Sequence, residues 1–216
     1  MPDVTIINFE DFEDDNLGEW VGYSVTGDQI WETAPFGNPG ICAKMSGYLG
    51  APFDNEEWLI SPAFNFDNYV QESFRFETSK NYEGPDLELL ISNDYISGDP
   101  NLATWESLSF TPSSGSWEWV GSGLLDLSSY NGTIHLAYKF TSTTSGSATW
   151  EVDNILLTGA EANAVNDLTS NLISVYPNPG TGIFKVENTY QTFLNIAVYN
   201  ILGQLVFETI SSEAII

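Results

Sequence analysis

Thr133-Ile134-His135-Leu136-Ala137-Tyr138-Lys139-Phe140 alternates without a slip. Ile134, Leu136, Tyr138 and Phe140 face one way, and Thr133, His135, Ala137 and Lys139 face the other. A repeat of two is the signature of a strand with one face on a core. Residues 70–78 carry the same period less cleanly, with Val70, Glu72, Phe74 and Phe76 set against Gln71, Ser73, Arg75 and Glu77. A short apolar run follows at 87–92. Between such runs lie Gly37-Asn38-Pro39-Gly40, Gly84-Pro85-Asp86, Gly98-Asp99-Pro100 and Asn131-Gly132, all of them turn formers. No stretch sustains a helical period. Many short strands punctuated in this way predict an all-β sandwich or barrel.

Composition narrows the function. The 216 residues hold 30 acids against 5 Lys and Arg, so the net charge is 5 − 30 = −25. The bases (Lys44, Arg75, Lys80, Lys139, Lys185) are scattered and form no patch. Such a field repels phosphate backbones and anionic lipid, which excludes nucleic-acid partners. Hydrophobic residues make up 42% and aromatics 14%, enough apolar material to exclude intrinsic disorder. No apolar run is long enough for a membrane span. Met1-Pro2-Asp3-Val4 has neither the charged nor the apolar region of a signal peptide, so export requires a leader upstream of Met1.

One His and one Cys leave no material for a His-rich zinc site, a Cys-based cluster or a disulfide framework. Cys42 reads as a small buried hydrophobe. His135, on the polar side of its strand, reads as an exposed histidine. A Ser-His-Asp triad would need it as base, and no Gly-x-Ser-x-Gly elbow accompanies it. The expectation is therefore no catalytic residues.

Residues 160–172 are small, polar and free of aromatics, which reads as a flexible linker between a first domain at 1–159 and a second at 173–216. In the second, strands are expected at 173–176, 183–187, 194–199 and 204–210, with a turn at 177–182. That is too few strands to close a sandwich, so this piece is expected to be a truncated domain.

The run Ile173-Ser174-Val175-Tyr176-Pro177-Asn178-Pro179-Gly180-Thr181-Gly182-Ile183-Phe184, with Ile196-Ala197-Val198-Tyr199-Asn200-Ile201-Leu202-Gly203-Gln204-Leu205-Val206 after it, resembles the C-terminal sorting domain of type IX secretion cargo. It lacks that family's later Gly-x-Tyr strand and basic end. The resemblance implies an Ig-like fold, here partial, and the type IX secretion machinery as partner. It implies an extracellular or outer-surface destination.

Four stretches of the first domain resemble a choice-of-anchor J module, a relative of cleaved-adhesin domains. They are Phe9-Glu10-Asp11-Phe12-Glu13 with Trp20 downstream, Trp58-Leu59-Ile60-Ser61-Pro62, residues 125–132 (LDLSSYNG), and Trp150-Glu151-Val152-Asp153-Asn154-Ile155. This resemblance implies a jelly roll, commonly calcium-stabilised, that serves attachment rather than catalysis.

Calcium takes six to eight hard oxygen ligands. The acids of residues 10–15 lie near one end of the domain and Asp153 lies on its last strand, and a jelly roll brings those strands together. Val152 and Ile155 both want the core yet sit three apart, so a bulge at Asp153-Asn154 is expected. Glu13 and Asp153 are the favoured ligands, with Glu10, Asp28 and Asn154 as weaker members. The competing reading is solvated charge on an acidic surface. For a ligand platform the candidates are Trp31, Trp105, Trp117 and Trp119, the last two expected on one strand face. Ordinary core packing competes for each, and Trp20, Trp58 and Trp150 are assigned to it outright.

The function expected is a non-catalytic attachment module that binds glycan or a surface protein, or positions a catalytic domain. Two alternatives stand beside it: a secreted polysaccharide hydrolase using a carboxylate pair, and a ligand-free spacer. Solvent-facing Trp rings in one concavity would favour binding, and burial of all four would favour the spacer.

Overall fold

The computed structural model describes residues 4–162 and, beyond them, 173–176, 185–188, 194–200, 202–211 and 213–215. The chain divides into two compact units, Met1–Asn163 and Ala164–Ile216. Among the described residues every regular element is a strand except two single 3₁₀ turns, at Phe66–Asn68 and Pro100–Leu102.

Among the described residues thirteen strands build the first unit. They are β1 (Thr5–Glu10), β2 (Val21–Thr26), β3 (Glu32–Gly37), β4 (Gly40–Ser46), β5 (Asn55–Ile60), β6 (Phe64–Asn65), β7 (Tyr69–Asn81), β8 (Glu88–Ser92), β9 (Glu106–Leu108), β10 (Val120–Gly121), β11 (Leu125–Asp126), β12 (Thr133–Ser142) and β13 (Thr149–Glu161). A seven-stranded sheet runs β10-β7-β13-β4-β3, with β1 added to β13 and β11 to β7. A six-stranded sheet runs β2-β5-β12-β8-β9, with β6 added to β12. The two sheets pack face to face as a jelly-roll sandwich.

The core follows from the alternation. Phe74 and Phe76 of β7 and Trp150 and Val152 of β13 point inward from one sheet, and Leu136, Tyr138 and Phe140 of β12 point inward from the other. Phe76 meets Tyr138 edge-on across the sandwich, ring centres 5.0 Å apart. Trp20 stacks on Tyr138 at 5.6 Å.

The polar face assigned to β12 is a correction. His135 is buried rather than exposed, because Trp58, Ile60, Leu90 and Ala137 form a second apolar cluster outside the six-stranded sheet. Tyr95 lies edge-on to His135 at 5.0 Å, and burial lowers the imidazole pKa. Trp58 is therefore packed, but in this outer cluster instead of between the sheets.

The first and last strands do meet. β1 pairs antiparallel with β13, Glu10 opposite Ile155. The expected bulge is present too: the register of β13 against β7 shifts between Asp153 and Leu156, and Asn154 takes φ 51°. Val152 and Ile155 are both fully buried as a result. β13 continues to Glu161, two residues past the boundary expected at 159, because Ala160 and Glu161 pair with Val70 and Tyr69. The rest of the expected linker, 163–172, lies outside the described residues, as does the turn at 177–182.

In the second unit β14 (Ile173–Tyr176), β15 (Lys185–Asn188) and β18 (Glu213–Ile215) form one antiparallel sheet, and β16 (Leu194–Tyr199) pairs with β17 (Leu205–Ser211) as a hairpin. Asn200 and Gly203 close that hairpin, with the Asn200 amide donating to the Gln204 carbonyl at 2.9 Å. β18 has no counterpart among the strands expected from sequence.

Candidate functional site

On the seven-stranded sheet, Trp150 and Val152 point into the core, so Glu151 between them points out. Lys44 of β4 and Ser79 of β7 sit opposite it in register. Above Glu151 opens a cavity of about 440 Å³ walled by Phe36, Trp117 and Trp119. Trp117 is 42% exposed and Phe36 57%. Glu151 itself is buried, and burial pushes its carboxyl above the ordinary range, partly offset by Lys44. Lys44 is held by Glu32 at 2.8 Å.

The two tryptophans are not on a strand face as expected. They lie in the turn that precedes β10, where Ser116 and Trp117 both take positive φ. That turn is tied to the sheet at two points and braced once within itself. The Trp117 amide donates to the Lys80 carbonyl at 3.0 Å, the Ser113 amide to Thr78 Oγ1 at 3.0 Å, and Ser113 Oγ to the Glu118 carbonyl at 2.7 Å. Tyr82, which is exposed, meets the Trp117 ring at right angles, 5.8 Å between centres. The ring is thus fixed while one face stays wet.

A second arrangement lies beside this cavity. The β3–β4 turn places Asn38 over the bulge of β13. The Asn38 amide donates to Asp153 Oδ2 at 2.7 Å, its Nδ2 to Glu77 Oε2 at 3.1 Å, and Asn154 Nδ2 donates to the Asn38 carbonyl at 2.8 Å. Glu13 reaches the same turn from the end of β1, accepting the Ile41 amide at 2.8 Å. Gly40, at φ 89°, lies against that carboxylate, and a Cβ there would collide with it. Asp153 is buried, and its pKa is raised to about 6, by burial first and then by the charges of Glu77 and Glu13.

Other predicted residues are placed elsewhere. Glu10 turns back on its own chain, accepting the Phe12 amide at 2.8 Å. Asp28 is exposed after β2, beside Gly27, which packs on Asn55 of the six-stranded sheet. Trp31 is 3% exposed and belongs to the core, so its ring cannot stack on a ligand. Trp105 is half-buried on the outer face of the six-stranded sheet, 5.2 Å from Trp58, with Nε1 donating to the Pro100 carbonyl. The structure therefore unites Trp117 with Trp119, and Glu13 with Asp153 and Asn154, but joins neither Trp31 nor Trp105 to them.

Residues 174–215 match the secretion system C-terminal sorting domain. The protein is exported, with the cell surface as its destination. In structure the chain is similar to the K2 cleaved adhesin domain of Lys-gingipain, 16% identical, covering 72% of this chain and 99% of that one at a TM-score of 0.52. That likeness shows a shared fold. Two further similar structures are the K3 cleaved adhesin domain of Lys-gingipain from Porphyromonas gingivalis (16% identical, 72% and 99% covered, TM-score 0.47) and a family 11 carbohydrate-binding module from Clostridium thermocellum (16%, 73% and 96%, 0.46). No curated protein matches the chain.

Sequence reasoning missed Phe36, Glu151, Glu77 and Asn38. Glu151 was legible in principle: the residue between two core residues of a strand points outward, and an acid there on a central strand is shielded by both neighbours. Phe36 and Asn38 offered no such signal, since their positions depend on how the 37–40 turn folds across the sheet. Among the described residues no helix is long and apolar enough to cross a membrane.

Proposed function

We propose that the first unit is a non-catalytic glycan-binding module, delivered to the cell surface by the sorting domain through the type IX secretion machinery. The observation that carries this reading is the exposed Trp117 face, opposed by Phe36 over the buried carboxylate of Glu151. Sugar rings present C–H faces that stack on aromatic planes, and a shielded carboxylate is a strong acceptor for hydroxyl donors. Glycoside hydrolysis calls for two carboxylates across the scissile bond, and among the described residues the lining of this cavity supplies Glu151.

The test is calorimetric titration of the protein with a panel of neutral oligosaccharides. Binding to at least one is expected, with a loss of about tenfold or more in Trp117→Ala, since stacking of one ring is worth on the order of 1–2 kcal/mol. Equal behaviour of wild type and Trp117→Ala toward every sugar would overturn the reading.

We further propose that Glu13, Asp153 and Glu77 hold a structural calcium under the 37–40 turn, with Asn38 and Asn154 supplying amide oxygens. The donor set is all oxygen, as a hard cation requires, and the charges of Glu77 and Glu13 already act on the buried Asp153 carboxyl. Among the described residues no three acidic, His or Cys side chains already stand within a metal's reach. Binding would thus exchange the Asn38 and Ile41 amide bonds for metal bonds. Calcium would fix the turn that carries Phe36 into the cavity wall.

A further inference from the structure

The same sheet face opens a second cavity on the far side of the Asn38 turn. Its volume is about 600 Å³ and its walls include Phe9, Arg75, Glu77, Leu124, Asn154 and Leu156. Phe9, Leu156 and Arg75 form one row across β1, β13 and β7, each opposite the next in register. Strands stand about 4.8 Å apart, so Phe9 and Arg75 lie about 10 Å apart, with Leu156 as the floor between them. Phe9 is 51% exposed and Leu124 73%, two apolar flanks on either side of the guanidinium.

Arg75 is the only arginine in the chain. In a protein with 30 acids a surface cation rarely stays single, and the three lysines of this unit do not: Lys44 pairs with Glu32, Lys80 with Asp86 and Lys139 with Glu56. Among the described residues Arg75 pairs with nothing. The acid nearest to it along its own strand face, Glu77, is already engaged, its Oε2 accepting from the side-chain amides of both Asn38 and Asn154 at 3.1 and 3.0 Å. An unpaired fork between apolar walls is arranged for an incoming anion. Guanidinium binds carboxylate through two parallel hydrogen bonds, and flanking apolar groups strengthen them by excluding water.

We infer that this second cavity takes a carboxylate-bearing sugar unit, a uronic acid, with Arg75 forking its carboxylate while Phe9 and Leu124 flank the ring. The sugar identity rests on the glycan reading of the Trp117 cavity; the carboxylate assignment rests on Arg75 alone. The overall charge of −25 does not forbid such a ligand. At physiological ionic strength charges beyond about 8 Å are largely screened, so the local field is set by Arg75 and by Glu77, whose carboxylate is engaged by the two asparagine amides.

The test compares a short oligogalacturonide with its fully methyl-esterified form, the same skeleton without charge, both in chelator. Titration into wild type, Arg75→Gln, Arg75→Lys and Trp117→Ala separates the contributions. Wild type is expected to bind the acid form at least tenfold more tightly than the ester. Arg75→Gln should abolish that preference, and Arg75→Lys should retain only part of it, because an ammonium cannot fork. Equal affinity of wild type for acid and ester, or an acid preference that survives Arg75→Gln, overturns the inference. Competition by acetate as strong as by galacturonate overturns the sugar assignment. If Arg75→Gln acts as expected but Trp117→Ala changes nothing with this ligand or with any neutral sugar, the carboxylate assignment stands, and the aromatic-cavity reading falls with the sugar identity that rests on it. If Trp117→Ala weakens binding while Arg75→Gln changes nothing, the inference falls and the aromatic-cavity reading stands.

Discussion

Replacing Asp153 by Asn separates the electrostatics of the bulge from its packing. The Asp153 carboxyl is lifted from 3.8 to about 6 by burial and by the charges of Glu77 and Glu13. A folded-state pKa above the unfolded one means that the native protein holds the proton more tightly. Stability therefore falls as pH climbs from about 4 to about 6, and the loss is complete above that. After allowance for screening the loss is about 2 kcal/mol. Asn cannot ionise, so Asp153→Asn removes this slope, although it leaves one of the Asn38 and Asn154 amides without its acceptor. Calcium acts in the opposite direction. At a hundredfold excess over its dissociation constant it adds about 2.7 kcal/mol to the wild type, a rise in midpoint of roughly 5–10 °C for a domain of this size. The assay is thermal unfolding followed by circular dichroism, at pH 4 and pH 7.5, in calcium and in chelator. The difference between wild type and variant should shrink with rising pH in chelator and widen sharply in calcium at pH 7.5. A pH-independent difference in chelator would refute the strain assigned to Asp153. Equal calcium shifts in both proteins would refute the metal site.

Other expectations are simpler. Burial raises the Glu57 carboxyl to about 7, with Ser24 Oγ donating to it at 2.7 Å, so the contribution of this group to stability declines between pH 4.5 and pH 7; Glu57→Gln should be the more stable protein at pH 8, by about 1–2 kcal/mol in denaturant titrations. Cys42 is fully buried with its thiol pushed up to about 12, so iodoacetamide should label it only after unfolding, and labelling of the native protein at pH 8 would contradict its placement. The Tyr138 hydroxyl is buried without a hydrogen-bond partner among the described residues; Tyr138→Phe is expected to stabilise by up to about 1 kcal/mol, and a loss of more than that would reveal a partner.

The sandwich was legible because β12 and β7 repeat every two residues, and the residues that the repeat turns inward, Phe74, Phe76, Ile134, Leu136, Tyr138 and Phe140, are all in the core. The bulge was legible for the same reason: two core residues three apart break the period, and only an extra residue mends it. The outer face of β12 was not legible. His135 and Lys139 read as polar, but the covering of a sheet face is decided by the distant loop that carries Tyr95 and Trp105, not by the strand. The ligand platform was half legible. Spacing singles out Trp117 and Trp119, whereas a positive-φ turn places them, and Phe36 arrives from a hairpin some eighty residues earlier. Glu13 and Asp153 are legible because topology alone brings first and last strands together, while Glu77 enters only through the register of β7 against β13.

The bulge in β13 has one more implication. Along one edge this strand pairs with β7, and along the other it pairs first with β4, through residues 149–152, and then with β1, through residues 155–159. The extra residue sits at the handover. β1 is the first strand made and β13 the last of its unit, so the earliest segment waits for the latest before either has a ladder. Such distant pairing makes folding slow and leaves the edges of β4 and β7 bare until it finishes.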